Sequence, residues 1–219
     1  MPWPSLKASA LWLVALISGF GASVLRPKGF DYPLVWDAGV LHQGGHTYTL
    51  YSNLGKGFAG LLLLLWWWPQ WRKQSSQQTA VGASLGLTLI SIGAIFGAAV
   101  FVYEMPIVPK FPAGIVWFFV VNLLFTVMPE EAFFRLLMQR QIARGLVRPW
   151  LGHALSISLV GVFFAVVHVP VQHAAFGLFL LAGLLYCLVF AVTQRYWMAV
   201  LCHFGVNVLH ICLLPYPLA

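Results

Sequence analysis

Acidic residues are scarce in this sequence: five Asp and Glu stand beside twelve Lys and Arg in 219 residues. Charged residues make up only 8% of the chain, and 61% of it is hydrophobic. A water-soluble domain of this length cannot hide that much apolar surface, so the lack of charge excludes one and leaves an integral membrane protein. Cysteines are fewer still, at three. Cys187, Cys202 and Cys212 all fall in apolar runs, where they read as small buried hydrophobes and leave the redox compartment undetermined. The formal charge of +7 has no basic cluster behind it. The basic residues are scattered through short connections, which argues against a nucleic-acid partner and for the positive-inside rule. Internal repeats, low-complexity tracts and a second domain are not visible, so residues 1–219 are read as one membrane domain.

What is present is a succession of apolar runs. Residues 6–25 are long enough to span a bilayer. More spans follow, so this run reads as a retained helix rather than a signal peptide cleaved after Gly21, Ala22 and Ser23. Residues 26–53 form a polar connection, in which His42 and His46 are expected to lie in a solvated loop rather than a metal site. Residues 57–68 are a second span, ending in an interfacial belt of Trp66, Trp67 and Trp68 followed by Pro69. A short basic link, 72–79, leads to a third span, 80–103, rich in the Gly, Ala and Ser that close packing in lipid requires. After a Pro-punctuated turn at 104–112 comes a long helix, 113–144, which Pro129 is expected to kink. Spans at 150–168, stopped by Pro170, at 174–193 and at 197–214 follow. The expected fold class is all-α, a polytopic bundle of about seven transmembrane helices, with three N-terminal spans (1–112) and a set of catalytic helices (113–219).

Basic residues orient the bundle. With the N-terminus inside, the inner segments hold Lys7, Arg72, Lys73, Arg140, Arg144, Arg148 and Arg195, and the outer ones Arg26, Lys28, Lys56 and Lys110. The excess favours an N-inside protein of a bacterial cytoplasmic (inner) membrane.

Two of the five acids, Glu130 and Glu131, are adjacent in the middle of the fourth run. A charge near a bilayer centre costs about 2.5–3.5 kcal/mol on insertion scales, so such acids point to function. Helix geometry separates them. Glu131 and Arg135 are i and i+4 with the acid first, the favourable order for a pair. Glu130 points about 100° away and is left without that partner. Phe133 and Phe134 can shield it from water, and a carboxylate withdrawn from water is a stronger base.

Further polar groups interrupt the later runs. His168 closes the fifth, one turn after Phe164. His203 and Asn207 share a face of the seventh, with His210 also on it and Gly205 between them to admit another backbone. Any one of these, like His153, reads most simply as an interhelical hydrogen bond. Gathered with paired acids in one bundle, they point to a shared, partly wet cavity. A carboxylate and a histidine can hold and deprotonate water, while a second histidine and an amide can donate to an oxyanion. That inventory suits amide hydrolysis without a covalent intermediate. Cys202 and His203 are sequence neighbours pointing in different directions, so they do not make a dyad. Two Glu and two His could also hold zinc or a metal pair. Two-metal bundles use Glu-x-x-His spacings, which are lacking here, and Arg135 withdraws Glu131 from the ligand pool. No metal or other cofactor is expected.

At these residues the chain resembles the CAAX protease and bacteriocin-processing family of glutamic intramembrane endopeptidases, which includes the Ras-converting CAAX prenyl endopeptidases. Glu130-Glu131-Ala-Phe-Phe-Arg135, Phe164-Ala-Val-Val-His168 and His203-Phe-Gly-Val-Asn207 match its three motifs, in order and on successive spans. The stretch from Gly183 through Tyr186 and Thr193 to Trp197 is similar to the approach to its last motif. The resemblance implies a water-activating role for Glu130 with His168, an oxyanion-stabilising role for His203 with Asn207, and support from Glu131 and Arg135. It also implies a membrane-tethered peptide substrate, either lipidated or a C-terminal sorting tail. Leu136 departs from the pattern, since many members carry Gly there. The rivals are a non-catalytic scaffold or bacteriocin-immunity-like binder on the same fold, and a transporter with a proton relay, for which paired discontinuous helices are lacking.

A difficulty of depth accompanies this reading. At 1.5 Å per residue, Glu130 lies about 15 Å in from Arg140, His203 about 10 Å in from Tyr196, and His168 about 22 Å in from His153. Tilt, a kink at Pro129 or a cytosolic start to the fifth helix would each reconcile the three.

Overall fold

The computed structural model describes residues 6–26, 28–43, 45–73, 79–168 and 175–216. Among them run seven helices: α1 (Leu6–Val24), α2 (Leu54–Lys73), α3 (Val81–Phe101), α4 (Ile115–Gly145), α5 (Pro149–His168), α6 (Phe176–Thr193) and α7 (Tyr196–Leu213). Helices α3 to α7 are long and apolar enough to cross a membrane. The chain is a multi-pass helical membrane protein, as its composition requires. Pro170, read as the stop of the fifth span, lies outside the described residues.

The connection at 26–53 is not a plain solvated loop. It holds an antiparallel hairpin of β1 (Leu34–Val40) and β2 (Thr47–Tyr51), with Leu34 opposite Tyr51 and Val40 opposite Thr47. Trp36, Tyr48 and Leu50 alternate onto one face and are buried against Phe118 and Val121 of α4 and Ile211 and Cys212 of α7. Gly114 makes this packing possible. It takes φ +85°, and a Cβ there would collide with the indole of Trp36. His42 is likewise engaged, its Nε2 accepting the N–H of Tyr216 at 3.0 Å, while His46 is exposed. Polarity alone hid the strands because their alternation is short and broken by register shifts near Val35 and Ala38.

Helix α4 departs from regular geometry at the place that matters. Pro129 has no N–H to give the preceding turn, and two π-helical stretches, Asn122–Val127 and Ala132–Gln139, flank the four residues Met128–Glu131. Met128 N–H bonds the carbonyl of Leu123, and Arg140 N–H that of Arg135, each five residues back. The disturbance expected as a kink is a pair of widened turns, a form common at functional sites.

Two close approaches set the site's frame. A Cβ on Gly60 of α2 would overlap the Cα of Pro129, so α2 lies directly against α4 beside Glu130. A Cβ on Gly152 of α5 would overlap the carbonyl of Ala143, which makes α4 and α5 level at that crossing. Counted from there, Glu130 and His168 lie about 20 and 24 Å along their helices, within side-chain reach of one another in depth. The difficulty of depth came from measuring each residue from a different baseline. Gly205 admits the side chain of Ile92 from α3, rather than a neighbouring backbone.

Candidate active site

The deepest polar structure is built on Glu131 and Arg135, both wholly buried. Arg135 Nε donates to Glu131 Oε2 at 2.7 Å, the i,i+4 pair expected from sequence. The guanidinium also contacts Gln139 Oε1 at 3.1 Å and the sulfur of Cys187, and Gln139 in turn donates to the Cys187 carbonyl at 2.8 Å. This network ties α4 to α6. The second oxygen of Glu131 lies 2.9 Å from Nδ1 of His203. An ionised carboxylate only accepts, so Nδ1 carries the proton and Nε2 is turned the other way. Tyr186 stacks on the same ring at 4.7 Å between centroids, fixing its plane.

His203 Nε2 stands 3.9 Å from Oε2 of Glu130, an oxygen that is buried yet makes no hydrogen bond within the protein. The other oxygen of Glu130 accepts from Lys56 Nζ at 2.7 Å. Glu130 is therefore not the solitary acid that helix geometry on α4 alone suggested. Its partner comes from α2, a contact that sequence spacing cannot reveal.

His168 ends α5 with Nδ1 2.7 Å from the carbonyl of Phe164. The carbonyl requires a proton on Nδ1, which leaves Nε2 as the acceptor of the neutral ring. Phe164 and Phe179 hold the imidazole between them, with centroids 4.4 and 5.0 Å away. The aromatic of the Phe164-x-x-x-His168 spacing thus fixes the histidine through both its ring and its backbone.

Asn207 Nδ2 donates to Asn122 Oδ1 at 3.2 Å. Asn122 was not singled out from sequence, although a lone amide in the apolar first half of α4 was a usable signal. Glu130, His168, His203, Asn207 and Asn122 all line one cavity of about 400 Å³, whose walls are otherwise largely apolar and which extends to Tyr48 of the hairpin and His210 of α7. Glu130 and His168 also line a second cavity of about 220 Å³ on the other side, against α1 and α2. Glu130 and His168 are thus the two described residues that line both cavities. Among the described residues, no group of three or more His, Cys, Asp and Glu side chains is placed to hold a metal ion. Cys202 Sγ faces Thr88 of α3, 4.0 Å from its carbonyl, away from the cavity.

Three spaced motifs from three separate helices thus converge on one apolar chamber. Residues 110–209 match the family described as type II CAAX prenyl endopeptidase Rce1-like. This agrees with the resemblance read from the motifs. The Rce1-like segment contains Asn122, Glu130, Glu131, Arg135, His168, His203 and Asn207, and the family is one of peptidases. Lys56, the hairpin and the first three helices lie before it. No protein of curated function and no solved structure matches the chain.

Proposed function

We propose that this protein is an intramembrane endopeptidase that cleaves a membrane-tethered peptide near its C-terminus by direct attack of water, without a metal. The observation that carries the reading is the shared apolar cavity of Glu130, His168, His203 and Asn207. Oε2 of Glu130 and Nε2 of His168 are the two free acceptors that can hold a water and take its proton as its oxygen attacks the scissile carbonyl. The oxyanion meets the second N–H of Asn207 and, in its protonated form, Nε2 of His203. The proton held by the Glu130–His168 pair then passes to the leaving amine, and the peptide bond breaks. Glu131 and Arg135 set the orientation of His203 and hold α4 against α6.

The ion pair between Lys56 and Glu130 is the observation that favours the other reading, a non-catalytic binder in which the acid is only a structural anion. One comparison separates them. In cells carrying the wild-type chain or Glu130→Gln, mass spectrometry of membrane-anchored precursors should find trimmed C-termini only with the wild type. His168→Ala should behave as Glu130→Gln does, with normal membrane insertion in both. Persistence of the product in either variant rules the mechanism out.

A further inference from the structure

Lys56 is placed with care for a residue of the loop-proximal first turn. Asn53 caps α2, its Oδ1 accepting the N–H of Lys56 at 2.9 Å, while its Nδ2 donates to the carbonyl of Ser23 at the end of α1. Gly60, one turn on from Lys56 and on the same face, lets α2 press against Pro129. A cation in the first turn works against the helix dipole, so α2 gains nothing from the charge for its own sake. The side chain instead reaches Glu130, and both groups remain partly accessible, at 21% and 14%. They face the 220 Å³ groove, which Gly60, Phe133 and His168 help to line and in which, among the described residues, Lys56 is the one Lys or Arg.

The geometry points to Lys56 as the recognition residue for the terminal carboxylate of the substrate, and to its ion pair with Glu130 as a latch that this carboxylate opens. The inference rests on the hydrolytic reading above. A peptide cut near its C-terminus carries a second carboxylate a few residues beyond the scissile bond. An ammonium is a point charge with rotatable donors and can turn from one carboxylate to another. On that exchange Glu130 loses the cation on Oε1 as the substrate seats, so the carboxylate that holds water through Oε2 becomes a stronger base only when a free C-terminus is present. A peptide without that charge leaves the latch closed.

The test uses two S-farnesyl peptides with the modified cysteine fourth from the end, identical except for a free acid or a carboxamide at the C-terminus. Purified full-length protein in detergent should cleave the acid with a kcat/KM about ten-fold higher, the scale of one charge contact. Lys56→Met should bring the ratio of acid to amide close to one, and Lys56→Arg should restore part of it. An unchanged ratio in Lys56→Met, or equal cleavage of both peptides by the wild type, overturns the latch. Binding of the same peptides is measured in parallel with Glu130→Gln, whose Lys56 has lost its internal anion, and with Glu130→Gln/Lys56→Met. Tighter binding of the acid to the single variant, lost in the double, supports the site even where no cleavage occurs, in which case the hydrolytic reading alone fails. Equal or absent binding of acid and amide by Glu130→Gln overturns the inference.

Discussion

Oε1 of Glu131 lies 2.9 Å from Nδ1 of His203, and this contact makes the second acid of the pair more than a counter-ion. Helix spacing alone pairs it with Arg135, a contact whose loss would mainly lower folding yield. The structure gives the same carboxylate two tasks, one on each oxygen.

Glu131→Gln should therefore have two separable effects. Breaking a wholly buried ion pair from one side costs on the order of 3 kcal/mol, because the other charge is left uncompensated. That loss is read as a lower unfolding temperature in detergent. An amide also offers an N–H to Nδ1 of His203 and no longer enforces its protonation, so the ring can present a different nitrogen to the cavity. The folded fraction should show a reduced kcat with little change in KM. Normal kcat per folded molecule would restrict Glu131 to structure.

The two asparagines should differ in degree. Asn207→Leu removes a donor at the cavity and should lower kcat on the order of a hundredfold, the usual effect of losing one oxyanion donor. Asn122 also lines the cavity, but its Oδ1 accepts from Asn207 at 3.2 Å and so acts on its orientation. Asn122→Leu should fall between wild type and Asn207→Leu, and the double variant should be no worse than Asn207→Leu alone. Additive losses in steady-state kinetics would give Asn122 a task of its own.

Helix-forming residues and spacings carry much of this site openly. The buried acid with its i+4 arginine, the aromatic one turn before His168, and the shared face of His203 and Asn207 all follow from 3.6 residues per turn. What the sequence conceals is what depends on which helix lies beside which. Lys56 stands 74 residues before Glu130 and reads as an interfacial cation, and the two meet because Gly60 admits Pro129. The hairpin is concealed for a different reason: its strands bury aromatic side chains on helix ends, and such a surface has no periodic signal in a short polar connection. Pro129 announced a disturbance of α4, but whether the helix would bend or widen depends on neighbours that re-satisfy its backbone.

Gly60→Val tests the α2–α4 contact. A branched side chain there must displace Pro129, and overpacking of this kind costs about 1–3 kcal/mol. Lys56 would move away from Glu130 with its helix. The variant should unfold at lower temperature and cleave more slowly. Gly82→Val is the control, since a Cβ at Gly82 of α3 meets nothing within 4 Å. Equal effects at the two positions would mean that the loss reflects general intolerance of valine in these helices.

Orientation decides which substrates can reach the cavity. Its lining includes Tyr48 of the hairpin, Leu214 and Tyr216 beyond α7, and Leu178 near the start of α6. All of these lie at the end of the bundle opposite Arg144 and Arg148. An N-inside chain would then turn its cavity toward the outer half of the bilayer, where a C-terminal sorting tail is available and a cytoplasmic prenylated tail is not. The reverse topology would give the reverse preference. Lys28 and Arg148 are both exposed, at opposite ends, and the native Cys187, Cys202 and Cys212 are buried, so single cysteines at the two positions can be labelled without background. With the N-terminus inside, a membrane-impermeant maleimide added to intact cells should label Lys28→Cys and leave Arg148→Cys unmodified until the membrane is opened. Labelling of Arg148→Cys alone in intact cells would invert the protein and favour a prenylated cytoplasmic substrate.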